Sequence, residues 1–186
     1  KELNKLKVKS AGVTVPKFDN LCYRKTNMAI GEGLLQSEYA FEKYLSEKKN
    51  KLTLEEFYLD VIEDKKDKVE AGIEEINNII EGIFLARDLV NEPAMVMTPV
   101  KLASIAKEEL RDLGVEVEVF SRDKIEELGM EAFLAVSKGS ANEPQFIVMK
   151  WNGDKDSDEK LALVGKGVTY DSGGYSIKPG PSMVTM

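Results

Sequence analysis

Three side chains near the carboxyl end of the sequence could do chemistry together: Lys166, Asp171 and Lys178. They lie in the run LALVGKGVTYDSGGYSIKPGPSMVTM, residues 161–186, which holds five glycines in 26 residues. The apolar stretch 161–164 reads as a strand that enters a glycine-rich turn. Glycines after a strand let the backbone bend sharply and approach a ligand closely. The carboxyl end of a strand is where α/β folds tend to place their sites. A phosphate loop does not fit, because that pattern requires Ser or Thr after its lysine, and Lys166 is followed by Gly167. The dinucleotide pattern G-x-G-x-x-G also fails, since Gly165 and Gly167 are followed by Val168, Thr169 and Tyr170. The residues alone leave two readings open. One is a ligand site built on lysines and a carboxylate. The other is a tight turn with surface lysines and a solvated Asp171.

The rest of the composition narrows the chemistry. No histidine occurs, which removes Ser-His-Asp and Cys-His catalysis and every His-based zinc site within this sequence. Chemistry must come from carboxylates, lysines, hydroxyls or backbone. Cys22 is the one cysteine, so no intrachain disulfide can form, which fits a reducing, cytoplasmic setting. As a lone cysteine it reads as a small apolar residue. The net charge of -7 and pI of 4.9 disfavour nonspecific nucleic-acid binding, which rests on basic surfaces. No apolar run approaches the roughly 20 residues of a membrane helix, and no membrane partner is expected. At 186 residues and 42% hydrophobic, the chain can bury a core as one domain, or as one domain with part of another.

The elements that must position Lys166, Asp171 and Lys178 can be read from periodicity. Val13, Val15 and Phe18 around Pro16 suggest a short extended piece. Residues 29–44 could be helical, although Gly31 and Gly33 weaken that helix. Phe57, Leu59 and Val61 alternate as in a strand. The charged run 63–68 reads as a solvated loop or helix entry, and the domain boundary is placed there, dividing 1–66 from 67–186. Val69, Ile73, Ile76, Ile80 and Ile83 recur at spacings of four, three, four and three, the apolar stripe of a long helix that should stop before Pro93. Thr98 and Pro99 read as an N-cap and first helical residue, with Leu102, Ile105, Ala106, Leu110 and Leu113 on the buried face and Gly114 as the stop. Val115, Val117 and Val119 alternate with Glu116 and Glu118 as a half-exposed strand. Ser121 can cap a short helix closed by Gly129. Three further apolar runs, 133–136, 146–151 and 161–164, have strand length, and 152–160 reads as a loop. The alternation predicts an α/β fold, a mixed sheet flanked by helices.

VGKGVTYDSGG followed by SIKP resembles the signature of the leucine aminopeptidase (cytosol aminopeptidase) family. LARDLVNEPAMVMTP (85–99) resembles the opening of that family's catalytic domain and LGMEAFLAVSKGSANEPQFIVMKW (128–151) the stretch between that opening and the signature, so the likeness is strong over about 85–186. Residues 1–60 resemble the end of its N-terminal α/β domain more loosely, so the resemblance implies an incomplete catalytic domain preceded by part of a smaller α/β domain. The resemblance implies a metal-dependent aminopeptidase that releases N-terminal residues, often leucine, from peptides. Two divalent ions, manganese or zinc with magnesium as a further option, would share the site. Lys166 would be a ligand through its amine, Asp171 a bridging carboxylate ligand, and Lys178 the catalytic, substrate-binding cation near the scissile carbonyl. Met186 would line the pocket for the N-terminal side chain, although scattered methionines are more often core filler. These roles are physically coherent. An ammonium has no free lone pair, and a neighbouring dication favours the neutral amine. A pair of ions roughly 3.5–4 Å apart can activate water and polarise a carbonyl without any histidine. A lysine that stays protonated can stabilise the oxyanion as it forms.

The resemblance also implies a homo-hexamer and further site residues beyond Met186. These are another aspartate ligand and an Asn-Thr-Asp-Ala-Glu-Gly-Arg motif carrying two more carboxylates and a catalytic arginine. Two ligands cannot fill the coordination of two ions, so the 186 residues alone are expected to be inactive. Two rival functions remain at this level: a noncatalytic module for oligomer assembly, and a DNA-binding regulator, against which the acidic balance counts.

Overall fold

The computed structural model describes residues 2–47 and 53–183. The chain divides into two compact units, Lys1–Asn91 and Glu92–Met186.

The first unit begins with a single helical turn, α1 (Glu2–Lys5), and strand β1 (Ser10–Thr14). Helix α2 (Tyr23–Gln36) then leads to strand β2 (Glu56–Asp60). β1 and β2 pair in parallel, in register from Ser10 with Glu56 to Thr14 with Asp60. Both strands alternate in exposure, with Phe57 and Leu59 on the covered side of β2, as their sequence spacing predicted. The charged run is indeed a helix entry. Glu63–Lys65 form a 3-10 turn that opens α3 (Lys66–Asn91). Val69, Ile76 and Ile80 of the apolar stripe are buried on α3, and Ile73 and Ile83 are half-buried.

Two expectations for this unit change. The helix over 29–44 starts earlier and ends at Gln36, where the Ser37 hydroxyl donates to the Leu34 carbonyl and the chain turns away. Beyond that turn, Tyr39 stacks under the Arg87 guanidinium at 3.8 Å and packs on Phe84. The compact unit also extends past the charged run, because α3 packs on α2. Gly31 and Gly72 explain how closely the helices meet. A Cβ on Gly31 would lie 3.0 Å from Ile73 Cδ1, and one on Gly72 would lie 3.0 Å from Met28 Cγ. The glycine that weakened the helix on paper is therefore used for close packing.

The second unit opens with α4 (Pro99–Glu109), whose N-cap Thr98 accepts a hydrogen bond from the Lys101 N–H. Gly114 leaves that helix region with φ of 71°. Strand β3 (Glu116–Phe120), helix α5 (Arg122–Glu127) and helix α6 (Glu131–Ser137) follow, then strand β4 (Phe146–Lys150). β3 and β4 are antiparallel, in register from Glu116 with Lys150 to Phe120 with Phe146. Ile125 and Leu134 are buried, and Phe146 packs against the rings of Phe120 and Phe133. A last short helix, α7 (Gly180–Met183), ends the described chain.

The fold is α/β as read from the sequence, but two of the apolar runs are not strands. Residues 133–136 lie in α6, where Leu134 is buried and the Met130 carbonyl accepts from the Phe133 and Leu134 N–H groups. A short apolar run fits either element, and packing decided it. Residues 161–164 carry no strand pairing, and Leu161, Leu163 and Val164 are about nine-tenths exposed or more, at 88%, 90% and 98%. Among the described residues, no strand lies beside them to supply a ladder.

Candidate functional site

The chemistry-bearing segment starts where that apolar run ends. Lys166, Val168, Thr169, Tyr170 and Asp171 line an open concavity, and Lys166 itself is exposed. After Asp171 the backbone folds into a tight loop. Gly173 and Gly174 adopt φ of 88° and 60°, the left-handed region that side chains disfavour. A Cβ on Gly173 would collide with the Ser176 carbonyl oxygen, so this position accepts only glycine. The Ser176 N–H donates to the Gly173 carbonyl at 3.1 Å, and the Lys178 N–H donates to the Ser172 carbonyl at 2.9 Å. These bonds bring Lys178 back over Asp171.

The carboxylate closes the loop from inside. Asp171 Oδ1 accepts the Gly173 N–H at 3.0 Å, and Oδ2 accepts the Lys178 ammonium at 2.9 Å. The hydrogen bond from Lys178 holds the Asp171 carboxyl below its usual range, with smaller help from the Gly173 N–H and the charges of Lys178 and Lys166, against a slight desolvation. Further along, the Tyr170 hydroxyl donates to the Met183 sulfur at 3.0 Å, tying the start of the loop to α7.

Thus Asp171 and Lys178 are joined directly, and Lys166 shares the Asp171 concavity. Met186 lies outside the described residues. Sequence reasoning missed Tyr170 and Ser172, whose carbonyl and hydroxyl both hold the loop; the Ser172 hydroxyl accepts the Gly174 N–H at 3.3 Å. The signal available was the run Asp-Ser-Gly-Gly itself, an acidic side chain able to bond the backbone two residues on.

A divalent ion can be tested against these donors by their chemistry. Asp171 offers two carboxylate oxygens and Lys166 an amine, a hard and a borderline donor on one open face. Among the described residues, no group of three or more His, Cys, Asp or Glu is arranged to hold a metal ion. The pair therefore fits as part of a ligand set.

Comparison with known proteins places the chain in a family. The profile of the cytosol aminopeptidase family, catalytic domain, matches residues 84–186. A probable cytosol aminopeptidase of Clostridium tetani (strain Massachusetts / E88) is 59% identical over all of this chain, which covers 39% of that relative. The probable cytosol aminopeptidase of Treponema denticola is 48% identical, again over all of this chain and 39% of the relative. The chain thus spans about two fifths of the length of these curated relatives. Among solved structures, a tomato leucine aminopeptidase mutant is similar with a TM-score of 0.78 and 29% identity, over 94% of this chain and 35% of that one. The bottromycin maturation enzyme BotP in complex with Mn is similar with a TM-score of 0.74 and 26% identity, over 96% of this chain and 37% of that one. With a family profile across the segment that holds Lys166, Asp171 and Lys178, and relatives matching from end to end, the chain belongs to the cytosol aminopeptidase family.

Proposed function

We propose that the protein, taken over the full length of its relatives, is a dinuclear-metal aminopeptidase that releases N-terminal residues, preferentially leucine, from peptides. The observation that carries this reading is the Asp171–Lys178 pair at the edge of the Lys166 concavity, inside the family-matched region. Lys166 through its side-chain nitrogen and Asp171 through its carboxylate would be the residues of this segment that hold the divalent ions. When bound, the ions supply Lewis acidity toward the scissile carbonyl and a nucleophile drawn from water at neutral pH. Lys178 donates a hydrogen bond to the oxygen that gains charge in the transition state. The loop bonds at Ser172 and Gly173 fix the backbone from which the Lys178 side chain extends to Asp171. Met186 contributes to the pocket for a leucine-like side chain.

Manganese or zinc suits this donor pair, with magnesium as the third option, and the Mn complex of BotP is consistent with manganese. A homo-hexamer acting on peptides in the cytoplasm completes the proposal. No helix among the described residues is long and apolar enough to cross a membrane.

The test is hydrolysis of a chromogenic leucine amide by the full-length protein, stripped of metal and then reloaded with manganese or zinc. Activity should vanish on stripping and return on loading. Asp171→Ala and Lys166→Ala should each weaken metal binding, while Lys178→Ala should lower turnover. Equal hydrolysis by stripped and loaded protein would exclude the metal mechanism. Normal turnover in Lys178→Ala would exclude its catalytic role.

A further inference from the structure

Both oxygens of Asp171 are already engaged. Gly173 N–H occupies Oδ1, and the Lys178 ammonium occupies Oδ2 at 2.9 Å, with 25% and 42% of the Lys178 and Asp171 side chains exposed. Lys178 is also held through its backbone. Its own backbone N–H is bonded to the Ser172 carbonyl, and the intervening loop is pinned by Gly173 and Ser176. The proposed function gives the same carboxylate to divalent ions. An ammonium binds a carboxylate oxygen as a charged hydrogen-bond donor and a divalent ion binds it as a Lewis acid, so the two cations compete for Oδ2.

We infer that Lys178 is a built-in counter-cation of the metal site: it holds Asp171 before loading, gives up Oδ2 when a divalent ion binds, and so weakens the site's apparent affinity for metal. This inference rests on the reading of Asp171 as a metal ligand. Two effects push in the same direction. The ion pair must open before Oδ2 is free, and the displaced ammonium, tethered by the Ser172 bond, stays close enough to repel a dication. Lys178 therefore serves two ends that oppose each other, charge stabilisation during reaction and restraint of metal uptake. The loop geometry adds specificity to the exchange. Oδ1 keeps its backbone N–H on one lone pair, with the other still open to an ion, while Oδ2 changes partner, so the carboxylate need not rotate.

The decisive measurement is calorimetric titration of manganese into the metal-stripped full-length protein and its variants. Lys178→Met and Lys178→Gln should bind manganese about fivefold more tightly than the unmodified protein, the scale of a partly exposed ion pair. Lys178→Arg keeps the charge and should retain the original affinity. Thermal melting identifies any variant that fails to fold, and the Met and Gln variants back each other up. Equal or weaker binding in both neutral variants would overturn the inference while leaving the ligand reading intact. Absence of manganese binding by the unmodified protein would remove the ligand reading and the inference together.

Discussion

On α3, Val69, Gly72, Ile76 and Ile80 are buried, in the helix that packs on α2, whereas no residue in 161–178 is fully buried. The helix pair is ordered by side-chain volume. The Asp171–Lys178 loop is ordered by two left-handed glycines, two backbone hydrogen bonds and one carboxylate. The two regions should therefore fail in different ways. The first should respond to changes in shape and be indifferent to charge. The second should respond to backbone conformation and charge and be indifferent to volume.

Ile76→Ala tests the first half of that contrast and should have the largest effect. Ile76 is 3% exposed, and truncating a side chain buried this fully costs about 3 kcal/mol. Urea unfolding of the chain, read by circular dichroism, measures it. A cost under about 1 kcal/mol would mean that α2 and α3 are not held by packing. The resonance of the Gly173 amide should stay where it was, since the loop makes its bonds within itself.

Gly173→Ala tests the second half. Its Cβ would strike the Ser176 carbonyl oxygen and force φ away from 88°, moving Lys178 relative to Asp171. In the full-length protein, kcat/KM for a leucine amide should fall roughly a hundredfold, the penalty for misplacing a reacting group by about 1 Å. Unfolding of the α2–α3 unit should be unchanged. If activity survives, the loop does not set the position of the ammonium.

A smaller contrast lies within α2. Nothing lies within 4 Å of a Cβ built on Gly33, whereas one on Gly31 meets Ile73. Gly33→Ala should stabilise the chain by up to about 1 kcal/mol through helix propensity alone. Gly31→Ala should gain less, or lose, because the Ile73 methyl must move. Equal gains at both sites, measured by the same urea titration, would show that the helices are looser than their contacts imply.

The same division explains what could be read from the sequence. The α3 stripe, the Thr98 cap and the alternation of β3 are local patterns, and each appeared where periodicity put it. Runs such as 133–136 and 161–164 carry no period, so their state depends on neighbours. Phe146 and the core around Leu134 made the first helical, and the second has no pairing strand among the described residues. Lys166, Asp171 and Lys178 were legible as types and spacing, but not the ion pair, which needs the loop to close. The roles of Ser172 and Tyr170 were not legible, since a carbonyl has no sequence signature and the Tyr170 partner, Met183, is a residue usually taken as filler.

The smallest expected effect concerns charge alone. Lys178 and the Gly173 N–H lower the Asp171 carboxyl below its ordinary value of 3.8 in the folded chain. A depressed folded value means the loop's contribution to stability is fully present above the unfolded value. It is lost as pH falls below 3.8 and through the folded midpoint. Because 42% of the Asp171 side chain is exposed, solvent and salt screen the pair, and the global unfolding curve should hardly register the change. The Gly173 amide proton, bonded to Oδ1, is the sensitive reporter. Its shift, followed by NMR from neutral pH downward, should titrate with a midpoint below 3.8, and Lys178→Met should move that midpoint upward. Ile76→Ala should leave it in place, because the helix pair has no part in holding the carboxylate. A midpoint at or above 3.8 in the unmodified chain would mean that the ammonium does not hold Asp171 in solution, and the contrast between a packed region and a charge-closed loop would lose its second member.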